Sequence, residues 1–343
     1  MLKVFTLYNN KGGVSKTTTT FNLAVFLSSK KNKKVLIIDA DSQSNITELF
    51  FSSDPKFLDS ESDDLPGTSI FDALRPRLEG STARVDVKKI KLCKNKRYNN
   101  LYLLRGDINF SAQAEGYFST SVDQSITSNI YQKNTYLSFR RLVRDLALEY
   151  SFDHIIFDLG PSTGAISRLA LLACDGYFIP VTPDRFSLLA IKSLPKILEE
   201  WFSHDKKIIE TLHPYGIEND YTNPIFSGAV SQQFQVHKGK IKKSFDRWND
   251  SIKAELKTGF TQNPLIPFNA KRKIDTVISE IENLGPLAPL SQLLGKAIFD
   301  ITQNDTKLAS SDGQAYYGAV FAPWQTKINN YEKQIEKIAL AVL

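Results

Sequence analysis

The chain has 343 residues, of which 42% are hydrophobic and 23% charged, a balance that excludes disordered, collagenous and membrane-spanning classes. Its formal charge is +6, from 43 Lys and Arg against 37 Asp and Glu. The two cysteines, Cys93 and Cys174, lie far apart and read as reduced thiols of a cytosolic protein, and four histidines argue against zinc. The apolar run Leu169 to Cys174 is cut by Asp175, far short of the ~18 residues of a membrane span. The apolar start stops at Tyr8, which does not fit a secretory signal.

Lys3 to Tyr8 reads as a short strand, Asn9 to Lys16 as a polar loop and Thr17 to Ser29 as a helix with one apolar face. Val35 to Ile38 is a β-branched run ending in Asp39. Strand, loop, helix and strand within forty residues make a βαβ unit, and hence a parallel sheet. Residues 54–98 lack clean periodicity and read as an insertion beside the carboxyl edge of that sheet. Leu101 to Leu104, Ile155 to Phe157, Gly176 to Val181 and Phe226 to Val230 continue as strands. Helices are expected over Tyr136 to Glu149, Ala165 to Cys174, Phe186 to Phe202 and Ile241 to Leu256. The fold class is therefore α/β, a doubly wound and mostly parallel sheet flanked by helices, read as one elaborated domain over 1–343 with a C-terminal helical elaboration from 237. In its last stretch Ile328, Tyr331, Ile335, Ile338, Ala339 and Val342 fall at helical spacing. The polar face there is mixed in charge, so packing on the domain is expected rather than a membrane surface.

The segment Lys11 to Thr17 reads K-G-G-V-S-K-T and has the parts of a phosphate-binding loop. Gly12 and Gly13 let the main chain approach phosphates, with Val14 and Ser15 completing the turn. Lys16 neutralises the β- and γ-phosphates, Thr17 offers a hydroxyl to Mg²⁺, and Thr18 adds a second hydroxyl. The helix that follows aims its positive end at the same charge. The standard outer glycines are missing, replaced by Asn10 and Ser15.

Lys11, five residues before Lys16, makes this loop similar to the deviant Walker A box of the ParA/MinD family, K-G-G-x-G-K-[ST]. Asp39-Ala-Asp41-Ser-Gln43 resembles the family's D-x-D-P-Q motif, and Ile155 to Pro161 (IIFDLGP) resembles its Walker B strand. Tyr177 to Leu194 resembles the segment after Walker B. The resemblance covers most of residues 1–230 and implies a P-loop ATPase that uses ATP and Mg²⁺. It further implies an ATP-bound homodimer in which Lys11 reaches the partner's nucleotide. Lys16 would hold the phosphates of its own subunit, Asp41 would orient the attacking water, and Asp39 and Asp158 would hold Mg²⁺ with Thr17. Without a glutamine or arginine finger, turnover should be slow until a partner protein stimulates it. Ser15, Ser42 and Leu159-Gly160 depart from the pattern. Gln232 or Gln233 either touches adenine or is a surface glutamine.

Basic charge gathers in Lys88 to Arg97 and, more densely, from His237 to Lys273. There Lys238, Lys240, Lys242, Lys243, Arg247, Lys253, Lys257, Lys271, Arg272 and Lys273 oppose Asp246, Asp250 and Glu255. Such a window is either a footprint for polyanions or a solvated helix face. With the resemblance it implies a ParA-like positioning ATPase of the cytoplasm and nucleoid. Lys238, Lys240, Lys242, Lys243, Arg247, Lys271, Arg272 and Lys273 would then hold DNA without reading sequence, and a ParB-like or cargo adaptor would trigger hydrolysis. The alternative is a MinD-like ATPase of a membrane surface. A metal-insertion or electron-transfer relative would need paired cysteines, which Cys93 and Cys174 do not form.

Overall fold

Apolar residues occupy both alternating positions of the central strands, so these strands bury both faces and need helices on each side. In the computed structural model β1 spans Lys3–Leu7, β2 Val35–Asp39, β3 Cys93–Lys94, β4 Leu101–Leu104, β5 His154–Asp158, β6 Gly176–Val181 and β7 Ile225–Phe234. Two short strands, β8 (Val236–His237) and β9 (Lys240–Ile241), pair antiparallel as a separate ribbon, and β10 is Val277–Glu282. The structure describes residues 2–57, 65–81, 83–234, 236–237, 240–241, 243–268 and 276–343. The main sheet runs β10-β7-β6-β1-β5-β2-β4-β3, and each neighbouring pair is parallel except β3–β4.

Each face carries its own core. Leu36, Ile38, Ile155 and Phe157 point to one side, where they meet α3 (Ile70–Leu78), α4 (Ile108–Gln124), α6 (Ser138–Tyr150), α7 (Ala165–Leu172) and α8 (Arg185–Glu210). Val35, Ile37, Ile156 and Phe178 point to the other, against α1 (Lys16–Val25), α2 (Asn45–Phe51), α10 (Leu287–Leu294) and α11 (Gly318–Val342). The remaining helices are α5 (Ile130–Tyr136) and α9 (Lys243–Leu256).

The expected strands are present, with β7 longer than the apolar run alone suggested. The helix expected over Tyr136 to Glu149 is present as α6, and a short helix not anticipated, α5, precedes it and ends at Tyr136. Helix α4 was not anticipated; its buried Phe110, Ala114, Phe118 and Val122 recur every four residues inside a Ser-, Thr- and Gln-rich stretch. The stretch 54–98 contributes α3 and the antiparallel edge strand β3. Strand β10 adds the opposite edge, paired with β7.

Helix α11 packs on α1 and β10. Ile328, Tyr331, Ile335, Ile338, Ala339 and Val342 are all buried, and Lys30–Glu332 and Lys31–Glu336 ion pairs, each 3.0 Å, edge the contact. No helix among the described residues is long and apolar enough to cross a membrane. Ile335 has no exposed surface, so Ile335→Ala is expected to cost ~2–5 kcal/mol. Urea unfolding checks this: a midpoint that does not move would show that α11 is not part of the folded core.

Candidate nucleotide site

The carboxyl ends of β1, β2 and β5 meet at one edge of the sheet, where open α/β sheets bind ligands. Parallel register makes Asp39 and Asp158 direct partners across β2 and β5. The loop between β1 and α1 passes over them. Gly13 is left-handed (φ +70°), a conformation that favours glycine, while Val14 is buried and Gly12 stands against Pro161. Ser15 opens α1 but makes no side-chain cap, and the first turn carries no acidic residue. The N–H groups at the start of α1 are therefore left to an anion. Thr17 and Thr18 lie in that first turn.

Lys16 is buried, and its Nζ donates to the carbonyls of Asn9 (3.1 Å) and Lys11 (3.0 Å). Burial lowers its pKa, opposed by the charges of Asp158 and Asp41. This is an ammonium held at the centre of the loop with no carboxylate bonded directly to it among the described residues, a geometry that suits phosphate oxygens.

The two register partners differ in how they are satisfied. Among the described residues, both oxygens of Asp158 are buried without a full hydrogen bond, only the weaker approach of the Thr17 hydroxyl. Its pKa stands well above the ordinary range, raised by burial and by Asp39, with the Thr17 hydroxyl and Lys16 pulling the other way. Asp39 is filled: Oδ2 accepts from Thr47 Oγ1 (2.6 Å) and Thr47 N (3.2 Å), and Oδ1 from Asp41 N (3.1 Å). Burial still pushes it up to about 7. An orphaned buried carboxylate beside a threonine hydroxyl is a donor set that fits a hard divalent cation. Asp39 meanwhile fixes the turn that carries Asp41.

Asp41 is buried, and Oδ1 accepts from Gln43 N at 3.1 Å. A Cβ on Gly160 would lie 2.7 Å from that oxygen. The replacement of the family's proline at 160 thus matches the close approach of Asp41 to the Walker B loop.

Lys11 is turned toward its own subunit. Nζ lies 2.7 Å from Asp184 Oδ2, 2.8 Å from Thr182 Oγ1 and 3.1 Å from Ser187 Oγ. Asp184 also caps α8 through Ser187 N (2.8 Å). Although burial raises the Asp184 carboxyl, its bonds to Lys11, Thr182 and Ser187 hold it below the ordinary range. Sequence reading missed this trio as a lysine seat. Asp184 carried the signal of a helix cap after a strand, but nothing local ties it to Lys11.

Of the two glutamines, Gln232 is buried and donates to Thr19 Oγ1 (2.8 Å), so it is not a surface residue. Gln233 is exposed and donates to Ser15 Oγ. A further unforeseen contact comes from α4: the Glu115 carboxylate accepts from the N–H groups of Ala165 and Ile166 at the start of α7. Among the polyanion candidates, Arg247 is exposed on α9. Lys240 lies in β9 and Lys243 begins α9, while Lys238, Lys242, Lys271, Arg272 and Lys273 lie outside the described residues.

A family model described as an AAA domain matches residues 2–211, well over half the chain. The chain belongs to the ParA/MinD family of deviant Walker A P-loop ATPases. It is 25% identical over 283 residues to the virulence plasmid ParA family protein pGP5-D of Chlamydia psittaci, covering 82% of this chain and 95% of that one. It is 28% identical over 200 residues to the chromosome partitioning protein ParA of Myxococcus xanthus, covering 57% and 58%. An ATP complex of a McdA variant from Cyanothece superposes with a TM-score of 0.60 at 18% identity, covering 100% of this chain and 97% of that one. That last likeness is one of fold. This ParA/MinD-family enzyme hydrolyses ATP and takes ATP with Mg²⁺ as its ligands.

Both register partners hold their protons to higher pH in the folded chain than in the unfolded one. Nucleotide-free protein should therefore lose stability as pH rises from the ordinary carboxylate range to about 7. Asp158→Asn removes the less satisfied of the two. Without Mg²⁺ it should flatten that slope and raise the melting temperature at neutral pH by roughly 2–6 °C, while ATP turnover is lost. Calorimetry across the pH range reads the outcome, and an unaltered slope would mean that Asp158 is not the source.

Proposed function

We propose that this protein is a ParA-like switch: it dimerises on ATP, holds DNA without reading sequence, and lets go when an adaptor protein stimulates hydrolysis. The observation that supports the reading is the end of β7 and the sequence that follows it. β7 ends against the phosphate loop through Gln232 and Gln233, and the chain continues from there into Lys238 to Arg247. Along the sequence, the candidate DNA-binding segment thus begins within a few residues of a contact with the phosphate loop. The names of the Chlamydia and Myxococcus relatives, a plasmid ParA and a chromosome partitioning ParA, lend the same direction.

In this reading Lys16 and the N–H groups of the loop bind the triphosphate, and Mg²⁺ supplies charge neutralisation beside Asp158 and Thr17. Asp41, buried and fixed by the turn that Asp39 organises, orients water. Lys11 leaves its seat on Asp184, Thr182 and Ser187 for the nucleotide of the second subunit. That exchange swaps a partly exposed ion pair, worth about 1 kcal/mol, for a charge-assisted contact with phosphate. The seat therefore delays closure without forbidding it. Positioning and charge are most of what phosphoryl transfer requires, so a subunit that lacks its neighbour's lysine turns over slowly. A membrane-surface role is less well supported, because the apolar stripe of α11 is buried against α1 and β10. A cytoplasmic, nucleoid-associated protein is the corresponding location.

Dimerisation doubles the basic window. With about six phosphate contacts, affinity for random duplex should fall ~10³-fold between 50 and 200 mM salt, and binding should need a slowly hydrolysed ATP analogue rather than ADP. Sizing by light scattering should show a dimer with the analogue alone. Lys11→Ala should stay monomeric and lose roughly 10²-fold or more in turnover, and Lys242→Glu with Lys243→Glu should dimerise but release DNA. Intact DNA binding by that double variant overturns the surface assignment; an unimpaired Lys11→Ala overturns the switch.

A further inference from the structure

Two residues with left-handed backbone meet at the phosphate loop. Ser15 (φ 57°) opens α1, and Gln233 (φ 59°) lies at the carboxyl end of β7. Side chains other than those of Asn and Asp reach this region at a cost, and it persists where the surroundings hold it. Here the two residues hold each other. Gln233 Nε2 donates to Ser15 Oγ at 2.8 Å and to the carbonyl oxygen of Gly13 at 3.3 Å. The Ser15 hydroxyl caps no N–H of its own helix.

A strand irregularity puts Gln233 in position. β10 pairs Ile281 with Gln232 but its next residue, Glu282, with Phe234, which leaves Gln233 without a counterpart. In a regular strand consecutive side chains point to opposite faces, and an extra residue of this kind re-aims one of them. As a result both glutamines reach the same loop and helix, Gln232 at Thr19 and Gln233 at Ser15.

We infer that Gln233 is a positioning residue for nucleotide binding and that the Ser15 hydroxyl is the atom it acts through. The carboxamide fixes the Gly13–Ser15 turn in the shape that leaves the N–H groups at the start of α1 free for phosphate. A glycine at 15 would hold that turn unaided; a serine drifts toward other conformations, and affinity falls by the fraction of molecules that have left the competent one. The glutamine thus compensates the serine. It touches no reacting atom. The inference needs only ATP binding, so it stands or falls separately from the DNA reading.

The test measures dissociation constants of the full chain, without DNA, for ADP and for a slowly hydrolysed ATP analogue by titration calorimetry, with steady-state kinetics alongside. Gln233→Ala and Gln233→Met, the latter keeping the length but unable to donate, should each weaken both nucleotides ~3–10-fold. The turnover number at saturating ATP should be unchanged. In a Ser15→Gly background the same substitutions should cost less than about twofold. Equal losses in the two backgrounds, no loss, or tighter binding would overturn the inference, as would a fall in turnover number with affinity unchanged. Gln233 is exposed, so folding is not at stake in its variants. Should Ser15→Gly fail to fold, the comparison of Gln233→Met with the native chain decides: native affinity in that variant sinks the hydrogen bond as the cause.

Discussion

Parallel pairing of β2 with β5 puts two carboxylates, Asp39 and Asp158, side by side at the end of neighbouring strands and out of reach of water. A pair of this kind resists ionisation, because burial and mutual repulsion act in the same direction. The chain relieves one member internally, through Thr47 and the N–H of Asp41. It leaves the other with no such set of donors among the described residues, only the Thr17 hydroxyl acting on it. That asymmetry divides the labour of the site. Asp39 becomes part of the scaffold that carries Asp41, and Asp158 keeps lone pairs that the fold does not fill. The positive end of α1 and the Lys16 ammonium stand over the pair and moderate its charge. A triphosphate with its metal thus arrives where each sign of charge is already provided for.

The core strands were legible because a strand buried on both faces must be apolar at every position, and VLII at 35–38 or GYFIPV at 176–181 reads the same from either side. Helix α4 was hidden by composition. Its sequence mixes Ser, Thr and Gln with exposed Ile108 and Tyr117, and the fourfold spacing of Phe110, Ala114, Phe118 and Val122 marks its inner stripe. Strand β10 was hidden because VISEIE does not alternate: Val277 and Ile278 are adjacent apolar residues, and the polar Ser279 takes a buried position. The phosphate loop was legible because its chemistry is local, with lysine, glycines and hydroxyls within a single turn. What holds the loop was not. Lys11 and its seat are separated by more than 170 positions along the chain, and no periodicity connects them.

The departures from the family pattern make physical sense in pairs. Gly160, where a proline is usual, leaves room for Asp41 Oδ1. Ser15, where a glycine is usual, meets the amide of Gln233. In each case a local rule is broken at one position and repaired from another part of the fold, as expected at sites where function sets the geometry. Sequence distance conceals the repair, so each change looks like a defect when read alone.

The phosphate loop is therefore tied at both ends to different strands. Its first lysine sits on the turn between β6 and α8, and its serine is held by the last residues of β7. These ties differ in kind. The Lys11 seat is an ion pair with partly exposed partners, which a phosphate can outbid because it offers more charge at the same distance. The Gln233 contact is a neutral hydrogen bond that phosphate has no reason to displace. Triphosphate and a second subunit should accordingly release the first tie and keep the second. The loop is thus held on its β7 side by a contact that nucleotide leaves in place, and on its β6 side by one that charge can exchange.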